Sequence, residues 1–218
     1  MHEFLIIILN IPIEMHILKL MKAATEMKLL NKMKPGVVYR RKELESHSKS
    51  VDRDLAKLCS SGEVTKVAPG LYVKMEKSRF GSLPPRDKDL VRAFLGDNRF
   101  LLMSYNHYNT LGLGLTQLRG DTFVYNRKRH TKATLGSRNF VFKNVSEFPN
   151  QLSREYLLVD LLNNLENVGE SPETILRNLD QKKGEFDRQK VGLMASRYGK
   201  VKTKNYLKVL YGELLPRT

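Results

Sequence analysis

The sequence predicts an α+β chain of two domains, and three observations carry that expectation. Apolar residues recur at helical spacing as far as Ser60 and switch to alternation after Gly62. A polar stretch punctuated by Pro84 and Pro85 then interrupts the pattern, and beyond Pro149 the chain is helical throughout. With 218 residues, 41% hydrophobic and 28% charged, there is enough material for real cores, which excludes bulk disorder.

The first segment, Phe4 to Ile13, is nearly all apolar but too short to span a bilayer, and His2 and Glu3 stand where an export signal needs basic residues. It reads as a packing or dimerisation extension over 1–14, with Met15 and Met21 as later plausible starts. Helix one is expected from Glu14 to Met33, with Ile17, Leu20, Ala24, Met27 and Leu30 on one face, ended by Pro35-Gly36. Val37 to Tyr39 is a short extended entry into a second helix over Arg40 to His47. A third helix follows, capped by Ser48 or Ser50, with Val51, Leu55 and Leu58 at i, i+4 and i+7. After Gly62, Val64, Val67, Leu71 and Val73 lie in two short strands joined by Pro69-Gly70, the residues of a tight turn. Three helices followed by a hairpin over residues 63–75 is the element order of a winged helix-turn-helix, which we place at 15–80.

Lys77 to Lys88 reads as the linker, and the second domain, 81–218, as mixed α+β ending in a helical bundle. Its first helix carries Leu90, Val91, Phe94 and Leu95. Phe100 to Met103 is a strand, Tyr105 to Leu111 a short helix capped by Ser104, and Gly112 to Gly114 a turn. Asp121 to Tyr125 and Asn139 to Lys143 are strands with a basic loop between them. Ser153 and Ser171 cap the later helices, Pro172 suits a first helical position, and Leu157, Leu158, Leu161, Leu162 and Leu165 form one apolar face.

Lys plus Arg is 38 against 23 for Asp plus Glu, a net charge of +15 that points to a polyanionic partner. Burying Val51, Leu55 and Leu58 leaves Lys49, Ser50, Arg53 and Lys57 outward, the residue types that read and hold DNA in a major groove. Arg53 is the candidate base reader. Arg40, Arg41 and Lys42, with Lys66 and Lys74 on the hairpin, are candidate phosphate contacts, while Asp52 and Asp54 partly cancel the basic face. A second basic patch, Arg127, Lys128, Arg129, Lys132 and Arg138, lies in a region from Arg119 to Lys143 whose only acid is Asp121. It suits DNA, RNA or an acidic protein surface, or plain solvation of a loop. Lys182 to Lys208 carries nine basic residues and two acidic ones, a face suited to solvation or docking.

Signals for catalysis are weak. Gly112-Leu-Gly-Leu lacks the Gly-Lys-Ser/Thr ending of a phosphate loop, and the five histidines show no metal spacing. His107 reads as packed or exposed rather than as a general base, and Glu185 with Asp187 as solvated helix. Cys59, the single cysteine, excludes an intrachain disulfide and multi-cysteine zinc sites. It is assigned to the core and points to a reducing, cytoplasmic setting. No catalytic residue, metal or cofactor is therefore expected, and the rival from another class is a nuclease or nucleotidyl-transferring enzyme delivered by its winged helix.

Ser50 to Met75, SVDRDLAKLCSSGEVTKVAPGLYVKM, resembles the winged-helix motif of the AbiEi-type antitoxins and related transcriptional regulators. The matching positions are Val51, Arg53, Leu55, Leu58, Gly62, Lys66 and Gly70-Leu71-Tyr72, and the confident likeness covers about 40 residues. The resemblance implies a bacterial antitoxin that represses its own operon at repeated operator sequences in double-stranded DNA, with a homodimer a possible form there. It further implies that residues 81–218 oppose a nucleotidyltransferase-like toxin. No membrane partner is expected, since the apolar run Phe4 to Ile13 is too short to span a bilayer.

Overall fold

Leu29 and Met33, one helical turn apart, are both fully buried and set the end of the first helix against its core. The computed structural model describes residues 27–212 apart from Gln117 and Arg119. Within it residues 27–32 (α1) are helical, but Met27 is exposed and Leu30 only half-buried, so the inward face is not the predicted one: the turn that meets the core carries Leu29 and Met33 instead. Ile17, Leu20, Ala24 and the apolar extension lie outside the described residues.

Two compact units divide the chain. The first runs to Asp97 and includes Thr134–Arg138; the second holds Asn98–Ala133 and the chain from Asn139. In the first unit β1 (Val38–Arg40) leads into α2 (Arg41–Leu44), a 3-10 turn (Glu45–His47) and α3 (Val51–Ser60). The strands β2 (Thr65–Ala68) and β3 (Leu71–Val73) then pair antiparallel, with β1 on the other edge of β3, giving the order β1-β3-β2. Gly70, at φ +71°, makes the tight turn that a side chain there would strain. Leu44, Val51, Leu55, Leu58 and Val64 close over Leu29 and Met33, and Cys59, expected in the core, is only half-buried against them.

The predicted linker is not structureless. Glu76–Ser78 (β4) and Gly81–Leu83 (β5) form a separate two-stranded hairpin. The helix after it, α4 (Asp87–Leu95), groups with the first unit rather than opening the second, so the expected boundary at residue 80 falls too early. α4 packs on β1, and Arg40 braces it there: its Nε donates to Ala93 O at 2.5 Å and its Nη2 to Phe94 O at 3.2 Å. A guanidinium there satisfies the open carbonyls at a helix C-terminus and matches its dipole. Arg40→Ala is expected to lower the unfolding free energy by about 1.5–3 kcal/mol, the range for charge-assisted hydrogen bonds, read by urea denaturation. A variant as stable as the parent would contradict this brace.

In the second unit β6 (Phe100–Met103) pairs antiparallel with β7 (Thr122–Asn126), which pairs in parallel with β9 (Arg138–Asn144). The predicted basic loop contains a further strand, β8 (Thr131–Leu135), next to β9 in the strand order, with its last two residues counted in the first unit. Ser104 caps the 3-10 helix Tyr105–Leu111 by accepting from Asn106 N, while His107 Nδ1 accepts from Ser104 N. Four helices follow: α5 (Arg154–Asn163), α6 (Pro172–Lys182), α7 (Arg188–Tyr198) and α8 (Val201–Tyr211). Ser153 and Ser171 cap α5 and α6 as expected, and Asp187, predicted as solvated helix, caps α7 by accepting from Gln189 N and Lys190 N. The one-faced pattern predicted for α5 is corrected: Tyr156 to Leu161 are buried without a break, because α7, α8 and the 3-10 helix all pack on it. No helix among the described residues is long and apolar enough to cross a membrane.

Candidate nucleic-acid interface

An amphipathic α3 with Val51, Leu55 and Leu58 inward has to project Asp52, Arg53, Ala56 and Lys57 outward, and all four are exposed. The two acids expected to offset the basic face are dealt with separately. Asp54 is buried and accepts a hydrogen bond from Ser48 Oγ, so its charge is spent bracing the start of the helix. Asp52 is gripped by Arg41, whose Nε and Nη2 donate to its two oxygens at 2.5 Å, and Arg41 Nη1 also pairs with Glu45. Those hydrogen bonds, the one to Asp52 foremost, hold the Arg41 guanidinium above its ordinary range, and the same bond holds the Asp52 carboxyl below the usual carboxylate range.

Arg53 stands in the first turn of α3 with its side chain 58% exposed, Nη2 donating to Ser50 Oγ at 3.0 Å and Nε 4.0 Å from Asp54. This contact aims the guanidinium along the helix N-terminus without burying it. Ser50 occupies the cap position, but its hydroxyl serves Arg53 rather than a helix amide; Ser48 Oγ instead accepts from Ser50 N at 3.0 Å. Lys42, Lys49, Lys57 and Lys66 are exposed and Lys74 is half-buried. Two of the candidate phosphate contacts already have partners within the chain: Arg40 donates to the end of α4, more than fifty positions away, and Arg41 pairs with Glu45 one helical turn on and with Asp52 at the start of α3.

The second patch also divides. Arg127, Lys128 and Arg129 are exposed in the turn after β7, and Lys132 is exposed on β8. Arg138 does not join them; it is half-buried and ion-paired to Asp87. Lys143 lies over the Phe123 ring, 4.3 Å from its centroid, and burial draws its pKa down. Arg119 lies outside the described residues. The turn is organised by Asn126, 1% exposed, which sequence reasoning missed. Its Nδ2 donates to the carbonyls of Val124, Arg129 and Lys143, and its Oδ1 accepts from Lys128 N and Arg129 N.

A second unpredicted group lies under the sheet of the second unit. Asp160, 6% exposed, accepts from Tyr108 Oη at 2.7 Å and from Tyr125 Oη at 3.0 and 3.1 Å. Burial pushes its carboxyl up against these hydrogen bonds, and burial likewise raises both phenols. Both tyrosines sit in the same core cluster, so this closed network reads as a packing element. Among the described residues no group of three or more His, Cys, Asp or Glu side chains is placed to hold a metal ion.

No family model matches the chain, and no curated protein matches it. Its architecture is similar to the crystal structure of the RV2827C protein from Mycobacterium tuberculosis, at a TM-score of 0.51 and 15% identity, over 80% of this chain and 71% of that one. A likeness at that identity concerns the fold alone: a mixed α+β architecture.

Proposed function

We propose that the first unit is a winged helix-turn-helix and that the chain is a DNA-binding transcriptional regulator, with α3 entering the major groove and β2–β3 as the wing. One observation carries the reading. The order β1, α2, α3, β2, β3 leaves Arg53 solvent-exposed at the N-terminal turn of α3, where recognition helices meet base edges, while the neighbouring acids are either paired or buried. Lys42, Lys49, Lys57 and Lys66 surround it as phosphate contacts, and the net charge of +15 favours a polyanion.

The more particular role, an antitoxin that represses its own operon in the cytoplasm and opposes a nucleotidyltransferase-like toxin, rests on the resemblance of Ser50 to Met75 to the AbiEi-type regulators. Co-expression with the neighbouring reading frame tests it: growth arrest by that product alone, relieved by this chain, is the expected outcome.

For DNA binding itself, the test is a mobility-shift titration on a duplex taken from upstream of the chain's own coding sequence. Counterion release requires log K to fall linearly with log salt, with about one unit of slope per phosphate neutralised. Lys66→Ala is expected to weaken all duplexes alike and to reduce that slope by about one. A salt-independent Kd would contradict the proposal.

A further inference from the structure

The β4–β5 hairpin has no core of its own. Five of its six strand residues are exposed, and at its two-residue tip Phe80 is 86% exposed. The tip is nonetheless preorganised. Ser78 Oγ donates to Gly81 O at 2.9 Å and accepts from Phe80 N at 3.1 Å, Gly81 takes up φ +111°, and the Arg79 guanidinium lies over the Phe80 ring, 4.8 Å from its centroid. Charge along the hairpin is one-sided. Lys77 and Arg79 are exposed, whereas the one acid, Glu76, sits at the root with its carboxylate beside Gly36. A rigid, narrow turn that presents one aromatic edge flanked by two cations matches the demands of a duplex minor groove. There, apolar side chains wedge between base steps and cationic ones hold the flanking phosphates. A protein partner would instead be met by a broader apolar patch around the aromatic, and the strand residues beside Phe80 are small or polar apart from Leu83.

We propose that this hairpin is a second DNA-contacting element, with Phe80 as a wedge against a base step in the minor groove and Arg79 and Lys77 on the adjoining phosphates. The inference rests on the DNA-binding reading given above, and it adds a site, a groove and a deformation of the DNA that α3 alone does not require. Because wedging acts on any base face, it contributes affinity and bending rather than sequence choice.

The chain contains no tryptophan, so F80W places a single indole reporter at the tip. The probes are the duplex from upstream of the chain's own coding sequence, an unrelated duplex of equal length, and the corresponding single strand. The expected result is quenching of the F80W emission by both duplexes over the concentration range in which the wild-type chain shifts them. F80A should bind both duplexes about tenfold more weakly, with a smaller bend in circularly permuted fragments and an unchanged melting temperature. Duplex binding by the wild-type chain without any change in F80W emission would overturn the wedge and leave the α3 reading standing. Quenching by the single strand alone would also overturn it. Failure of the wild-type chain to bind any duplex at low salt would overturn both.

Discussion

Arg53→Ala is expected to weaken binding to the preferred duplex by about 1–3 kcal/mol, or about 5- to 150-fold, while hardly changing affinity for unrelated DNA. The asymmetry is the informative part. An arginine bonded through two nitrogens to a guanine edge loses sequence-dependent energy when truncated, whereas a phosphate contact loses the same amount on every sequence. Arg53 is suited to the first role because its contact with Ser50 is a single exposed hydrogen bond, readily exchanged for a base. Folding should be unaffected, since its ion pair to Asp54 is long and mostly exposed on the arginine side. Arg53→Lys separates charge from geometry: non-specific affinity is kept, but preference is lost, because an ammonium cannot reproduce a two-pronged contact. An alanine variant that weakens all duplexes equally would move Arg53 to the phosphates.

Asp160→Ala is expected to cost about 3 kcal/mol of stability in the second unit, because two buried tyrosine hydroxyls lose their acceptor. The effect should depend on pH in a definite direction. Burial raises the Asp160 carboxyl above its ordinary value of 3.8, so the folded chain holds a proton there more tightly than the unfolded chain does. That contribution is fully present below the unfolded value and is lost as pH rises through the folded one. The stability difference between wild type and Asp160→Ala should therefore be larger at pH 4 than at pH 7 in urea unfolding followed by tyrosine fluorescence. A difference independent of pH would mean that the carboxyl is not desolvated. The DNA binding proposed for the first unit is expected to survive in Asp160→Ala, since Asp160 lies in the second unit.

The parts legible in the sequence are those whose signal is local. Val51, Leu55 and Leu58 announce the inner face of α3 by spacing alone, Pro69-Gly70 announces the turn between β2 and β3, and Ser104, Ser153 and Ser171 announce helix starts. Exposure of Arg53 follows from the same periodicity. What escaped has a physical reason in each case. The β4–β5 hairpin and β8 lack a continuous buried face, so their residues give no alternation to read. The helix α5 is covered on nearly all sides, which erases the periodicity of a one-faced helix. Arg40 reads as a DNA contact and Arg138 as part of a second basic patch because a basic residue is recognised by type, whereas their partners at Ala93, Phe94 and Asp87 lie some fifty positions away in the sequence. Asn126 and Asp160 carry no composition signal at all: a single buried polar residue becomes visible only when the groups it satisfies converge on it.

Base reading by α3 is tested most directly by selection from a randomised duplex library. The wild-type chain is predicted to enrich a defined motif, and Arg53→Ala to enrich the same motif with preference lost at one guanine, while Lys66→Ala keeps every position. No enriched motif with the wild-type chain, or an identical motif with Arg53→Ala, would contradict it.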